Sequence, residues 1–137
     1  ITGPQYSTGS VDCSFALRFE KDSNIQVELR DYSGNGYATG PSFQIRSGTL
    51  TTSDGQKADV KLNEWIRFEV ATNFEDASWT LRVHNPGQEV LEFAALPFRD
   101  SKFDVLTWVG IVSAADKETS FFLDDFQLRS AELTEKD

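Results

Sequence analysis

The stretch Cys13-Ser14-Phe15-Ala16-Leu17-Arg18-Phe19-Glu20 runs into the turn Lys21-Asp22-Ser23-Asn24, and then into Ile25-Gln26-Val27-Glu28-Leu29-Arg30. Apolar and polar residues alternate through both runs. Successive side chains of a strand point to opposite faces, so each run reads as a β-strand with one face on a core. Outward from these two, Ser42 to Ser47 alternates with Phe43 and Ile45 inward, and Trp65 to Thr72 carries Ile66, Phe68 and Val70 on one parity. Trp79 to Val83 groups Trp79, Leu81 and Val83, and Val90 to Phe93, Val105 to Val112 and Ser120 to Leu128 complete the series. Between them stand the turns Ser33-Gly34-Asn35-Gly36, Ser53-Asp54-Gly55 and Asn85-Pro86-Gly87. Roughly eight to ten short strands with turn signals between them predict an all-β, two-sheet antiparallel β-sandwich. The stretch ahead of Cys13 reads as a short turn-rich run, and 132–137 as a polar tail.

The chain's 137 residues fit one domain, with 39% hydrophobic residues that include eleven Phe and three Trp. That is enough apolar material for a core without metal or disulfide staples. Lys and Arg number 13 against 22 Asp and Glu, so the net charge is 13 − 22 = −9. Such a balance repels phosphate backbones and anionic lipid, which argues against nucleic-acid and membrane-surface partners. No stretch approaches the roughly 18 apolar residues of a membrane-spanning helix. Cys13 has no second cysteine to pair with and lies on the apolar parity of its strand, so it reads as a buried, inert thiol. The chain begins at Ile1 without an initiator Met, and the expectation is a domain cut from a longer protein, secreted or at the cell surface, bacterial in origin, with neighbouring domains as partners.

Several stretches together resemble the concanavalin A-like, laminin-G-like jelly-roll superfamily. They are the early strand pair, Gly40-Pro41-Ser42-Phe43-Gln44-Ile45, the run from Asn63 to Val70 opened by Trp65, Ser78-Trp79-Thr80-Leu81-Arg82-Val83, Leu106-Thr107-Trp108-Val109-Gly110, and the final Phe121-Phe122-Leu123-Asp124-Asp125-Phe126. The resemblance covers nearly the whole chain. It implies a jelly-roll sandwich of the kind found in carbohydrate-binding modules, adhesion domains and glycoside hydrolases, so fold alone does not decide among them. Related jelly rolls place a structural calcium ion where the last strand meets the first turns, and Asp22, Asn24, Asp124 and Asp125 would supply its oxygen ligands. Asp124 shares parity with Phe122, Phe126 and Leu128, which points its carboxylate inward. The competing reading makes it a cap on backbone amides of a neighbouring loop.

A retaining hydrolase of this superfamily carries a run such as Glu-x-Asp-x-x-Glu, and none is present; Glu89 with Glu92, and Glu69 with Glu75 and Asp76, do not match it. The only histidine, His84, flanks a turn, far from a nucleophile. There is no phosphate loop and no Cys/His metal spacing. A non-catalytic protein is expected.

Three groups remain as binding candidates. The loop from Asp31 to Gly40 offers Tyr32, Asn35 and Tyr37 on a glycine-rich backbone, and sugars bind aromatic faces backed by planar polar groups; the other reading is a long turn whose rings cap the sandwich edge. Trp108 opposes Val109 and Ile111 and is the candidate sugar platform; Trp65 likewise opposes Ile66, Phe68 and Val70, and Trp79 shares core parity with Leu81 and Val83. The arginines Arg18, Arg30, Arg46, Arg67 and Arg82 alternate with Glu20, Glu28 and Glu69, either as cross-strand ion pairs on a solvated face or, if several share one concave sheet, as a uronate or sulfate site, with Arg30 and Arg46 as its candidates. The reading these residues support is a carbohydrate-binding or adhesion module for a polysaccharide or glycan. The rivals are a spacer that binds no sugar and, third, a glycan-active enzyme.

Overall fold

Period-two alternation puts a continuous apolar row on one face of each strand, and two such faces bury each other. The computed structural model describes residues 2–6, 9–34, 36–113 and 121–130, which form eleven strands and, among the described residues, no helix. The first six are β1 (Thr2–Tyr6), β2 (Ser10–Phe19), β3 (Asn24–Asp31), β4 (Ala38–Arg46), β5 (Thr49–Thr52) and β6 (Lys57–Asp59). The rest are β7 (Ile66–Asn73), β8 (Ser78–His84), β9 (Leu91–Pro97), β10 (Leu106–Ser113) and β11 (Phe121–Ser130). They build a six-stranded sheet in the order β1-β10-β3-β4-β5-β6 and a five-stranded sheet in the order β11-β2-β7-β8-β9. Every pairing is antiparallel.

Phe15, Leu17 and Phe19 of β2 and Phe68 of β7 face Val27, Leu29, Phe43 and Ile45 of the other sheet, all buried. Phe68 stacks on Phe15 within its own sheet (5.6 Å between centroids) and on Phe43 across the sandwich (5.7 Å), and Phe43 continues to Trp79 (6.4 Å). Each such ring stabilises the fold by about 1.5–3 kcal/mol through burial alone. The Trp79 indole is core, and its Nε1 donates to the Pro97 carbonyl (3.0 Å). Cys13 lies in the same core, and burial pushes its thiol up to about 12.

Four sequence expectations change. The run before Cys13 contains a strand, β1, which pairs β10. β1 contains Pro4, but it is a sheet edge, where a residue without an N–H is tolerated. Strands β5 and β6 are four and three residues long, too short for alternation to register. The turn Lys21–Asn24 carries the chain from the five-stranded sheet to the six-stranded one, so β2 and β3 are not paired. Last, Asp124 is exposed rather than inward. Asp124 faces Ala16 and Gln127 faces Ser14, so β11 holds one extra residue there, and Asp125 takes a left-handed φ of 54°. A bulge reverses parity at that point: Phe122 and Asp124 face outward before it, and Phe126 and Leu128 pack against the core after it.

Candidate functional site

Where one face of each sheet is core, the other meets solvent, and its residues can be read off the register. On the six-stranded sheet, Trp108 and Gly110 of β10 stand opposite Arg30 and Glu28 of β3. Across β3–β4 the outward pairs are Gln26 with Gln44, Glu28 with Ser42 and, past a bulge, Arg30 with Thr39. Arg30 is the hub. Its guanidinium carbon lies 4.2 Å from the Tyr37 ring centroid and 4.6 Å from that of Trp108, within cation–π range of both faces. Its edge is also engaged: Nε and Nη2 reach Glu28 Oε1 at 2.8 and 2.6 Å, and Nη1 donates to the Tyr32 hydroxyl at 2.8 Å. Tyr32 closes the cluster, 5.4 Å from Tyr37 and 6.0 Å, edge-on, from Trp108.

Backbone geometry explains why these rings meet. Trp108 and Gly110 share a face of β10, and a Cβ on Gly110 would come within 1.9 Å of the Trp108 ring. The indole therefore lies flat along its own strand, over the glycine. The loop bearing both tyrosines is tied down by Asp31. Its Oδ1 accepts from the Ser33 amide (2.8 Å) and hydroxyl, and Oδ2 from the amides of Asp104 (3.1 Å) and Val105 (3.0 Å). Burial pushes the Asp31 carboxyl up, but these hydrogen bonds outweigh it and hold it below its ordinary value. The Tyr32 amide donates to Thr107 Oγ1 (2.9 Å). Asn35 lies outside the described residues.

A second loop completes the site. On β4, strand β5 pairs with Phe43–Arg46 alone, leaving the first half of β4 without that neighbour. The segment after β9 covers it, with the amides of Arg99 and Asp100 donating to the carbonyls of Gly40 (3.1 Å) and Thr39 (2.7 Å). Phe103 anchors the segment against Phe74 and Phe98, and a Cβ on Gly40 would meet its ring at 2.5 Å. Arg99 then reaches Glu28 Oε2 at 3.3 Å, so each Glu28 oxygen faces a guanidinium. An open trough of about 750 Å³ lies beside the cluster, lined by Gln26, Glu28, Arg30, Tyr37, Thr39, Arg99, Asp100 and Ser101. A smaller one of about 270 Å³ shares Gln26, Glu28 and Arg99 with it and continues to Ser42, Gln44 and Thr51.

No protein-family model matches the chain, and no curated protein matches it in sequence. Solved structures do match in shape. The catalytic domain of a glycoside hydrolase family 131 protein from Coprinopsis cinerea superposes over 91% of this chain and 58% of its own, with a TM-score of 0.59 at 10% identity. The chain thus spans little more than half of that domain. A galectin of Caenorhabditis elegans aligns over 94% of this chain and 88% of its own, with a TM-score of 0.56 at 16% identity. A tetrameric galectin from the ball sponge Cinachyrella aligns over 95% and 96%, with a TM-score of 0.56 at 14% identity. The fold is a concanavalin A-like jelly roll. At these identities the likeness speaks for the fold alone.

The jelly roll distributes the remaining candidates differently. Arg30 and Arg46 share the six-stranded sheet, but Arg46 pairs with Asn24 at the far end of β3, roughly 20 Å from Arg30 at the strand rise. Arg18, Arg67 and Arg82 belong to the five-stranded sheet. The arginines thus divide between two sheets, because neighbouring runs in sequence are not neighbours in the jelly roll. The five-stranded sheet's outer face has a depression of about 410 Å³ with Asp12, Arg67, Glu69, Arg82 and Glu92 in its lining and no aromatic ring. Polar side chains on this face pair across strands, Arg82 with Glu92 (2.9 Å), Arg67 with Asp125 (2.8 Å) and His84 with Glu69 (3.0 Å), contacts that solvent screens. Trp65 is exposed just ahead of β7.

Three of the expected calcium ligands have protein partners. Arg67 holds the Asp125 carboxyl below its ordinary value and occupies Oδ2, and Asp125 Oδ1 accepts from Gln127 (3.2 Å). Asp124 Oδ1 accepts from the Asp125 amide (2.8 Å), so it caps backbone within its own bulge. Asn24 Oδ1 accepts from Gln44 (2.8 Å), and both belong to the six-stranded sheet. Among the described residues no group of three or more His, Cys, Asp or Glu side chains could hold a metal ion.

The structure therefore brings together Arg30, Tyr32, Tyr37 and Trp108, and adds Arg99, Asp100, Ser101, Thr39, Gln26 and Gln44, which sequence reasoning missed. Arg99 sits in a segment without periodicity. Its one legible signal is the pair Phe98 and Phe103 bracketing Arg99-Asp100-Ser101-Lys102.

Proposed function

We propose that this jelly roll is a non-catalytic carbohydrate-binding module that takes its ligand on the outer face of the six-stranded sheet. The observation that carries the reading is the Tyr37 ring. Arg30 backs one of its faces, the residue is 54% exposed, and it borders an open trough otherwise lined by polar side chains. A sugar needs this combination: a fixed aromatic face for its C–H surface, beside amides, hydroxyls and charged donors for its hydroxyl groups. Trp108 supports the platform from behind rather than forming its exposed surface. Galectins, carbohydrate-binding proteins, share the fold, which agrees with the reading without assigning a sugar.

The glycoside hydrolase neighbour makes catalysis the reading to compare. Glu28 and Asp100 do line one trough. Glycosidase chemistry, however, needs one carboxyl to give its proton to the leaving group and a second to act as base or nucleophile. Both Glu28 oxygens face guanidinium groups, and Asp100 Oδ1 accepts from the Lys102 amide (2.9 Å). These contacts suit a scaffold that binds. The test is a glycan and polysaccharide panel screened with folded protein, with Tyr37→Ala and Glu28→Gln as variants. Saturable binding weakened by Tyr37→Ala, with no reducing ends released, is expected. Reducing ends lost on Glu28→Gln would establish the enzyme. Silence across the panel would leave a spacer.

A further inference from the structure

The two depressions on the six-stranded sheet are parts of one groove. Gln26, Glu28 and Arg99 line both, and the groove continues from Tyr37 and Thr39 at one end to Gln44 and Thr51 at the other. By register, Arg30 lies beside Thr39, while Gln26, Gln44 and Thr51 form one row four residues further along β3. Four residues of strand rise and two inter-strand steps separate the ends by roughly 16 Å, space for about three pyranose rings in a row. Both parts of the groove are open to solvent. Such a shape suits the middle of a chain, with sugars entering at one end and leaving at the other.

The groove's charges also select. Its lining holds two guanidiniums, Arg30 and Arg99, against two carboxylates, Glu28 and Asp100, so it sums to zero. Arg30 has its fork on Glu28 and Tyr32 and its faces on Tyr37 and Trp108, leaving no flat edge for an incoming carboxylate or sulfate. Arg99 faces the other Glu28 oxygen. Around this neutral groove the chain carries a net charge of −9, which opposes a polyanion. The far end offers hydrogen-bonding groups without charge: Ser42, Thr51 and Gln44, whose amide is oriented by Asn24.

We infer that the groove binds an internal stretch of a neutral polysaccharide, about three sugars long, lying obliquely across β3, β4 and β5. The inference rests on the carbohydrate reading above and goes beyond it in naming length, mode and charge of the ligand. The test titrates the protein with neutral β-glucan, xylan, mannan and galactan oligosaccharides, each from the monosaccharide to the hexasaccharide, and with a matched oligogalacturonate series. Affinity for one neutral series should rise at least about tenfold from the disaccharide to the tetrasaccharide and then level off, with little dependence on salt. Gln44→Ala, at the far end, should weaken the tetrasaccharide about fivefold and the disaccharide less than about twofold, whereas Tyr37→Ala weakens both. Equal affinity for short and long members would overturn the groove while leaving sugar binding intact. Preference for oligogalacturonate would overturn neutrality. Binding to none of the series or their parent polymers would refute the carbohydrate reading itself.

Discussion

Replacing Arg30 by lysine preserves a positive charge beside Glu28 and removes the planar group held between Tyr37 and Trp108. A lysine ammonium can keep an ion pair with Glu28 but cannot stack on two rings, nor reach the Tyr32 hydroxyl at the same time. The two ring contacts are worth about 0.5–1 kcal/mol each at a partly exposed site, and the Tyr32 hydrogen bond about 1 kcal/mol net. The sum is about 2–3 kcal/mol, and retained ammonium contacts bring it to about 2 kcal/mol. With an unfolding entropy of about 2.1 cal/mol/K per residue over 137 residues, 1 kcal/mol corresponds to about 3.5 °C, so Tm should fall by about 7 °C. Near-UV circular dichroism should lose the signal of the Tyr32–Trp108 contact, and affinity for the glycan found by screening should fall about tenfold, as Tyr37 loses its backing. A cycle with Tyr37→Leu should show the two changes to be coupled by about 0.5–1 kcal/mol. If Arg30→Lys leaves Tm, the near-UV spectrum and affinity unchanged, Arg30 acts as a charge alone and the stacked platform is wrong.

In Gly110→Ala the added methyl would meet the Trp108 ring; the half-exposed ring should swing away at about 1 kcal/mol in stability and take binding with it, and wild-type affinity would show that the indole need not lie flat. Asp31 has a depressed folded carboxyl, so its contribution is present above the unfolded value of about 4 and is lost as pH falls through the lower folded one. Asp31→Asn should lower Tm at neutral pH by an amount equivalent to about 1–3 kcal/mol and flatten the acid limb of a Tm-against-pH curve, and an unchanged acid limb would count against the clasp. Chelator added to purified protein should leave Tm in place, since Asp125 is committed to Arg67, and a drop reversed by calcium would show a site this arrangement does not provide. Cys13, with its thiol pushed up to about 12 in the core, should ignore a thiol reagent until the protein unfolds, and fast native labelling would contradict its burial.

Strands and their inward faces were legible wherever alternation ran for five or more residues, because burial on one face of a pleated strand leaves a period-two record. Phe15, Phe68, Trp79 and Cys13 are all where that record places them. It failed where the period was interrupted. One extra residue near Asp125 reversed the parity read for Asp124, and β5 and β6 are too short to show a period. Of the candidate site, Tyr32, Tyr37 and Trp108 were legible as aromatics that the core does not claim. Arg30 was legible as a candidate only alongside Arg46, which lies far along the same sheet.

The sequence by itself determined that this is an acidic, two-layer β protein with its core rows in place, for those properties are set by composition and by neighbours two residues apart. It also marked the loop between β3 and β4 as a place where aromatics gather. Only the tertiary structure decided which strands share a sheet, and with that which residues share a site. Arg30 meets Trp108 across a β3–β10 pairing of residues far apart in the chain, and Arg99 reaches Glu28 from another part of the chain again. The jelly roll's strand order, which comes from how two sheets close over one core, is not written in any local period. It gathers one arginine with three aromatic rings on one face and sends three others to the opposite sheet.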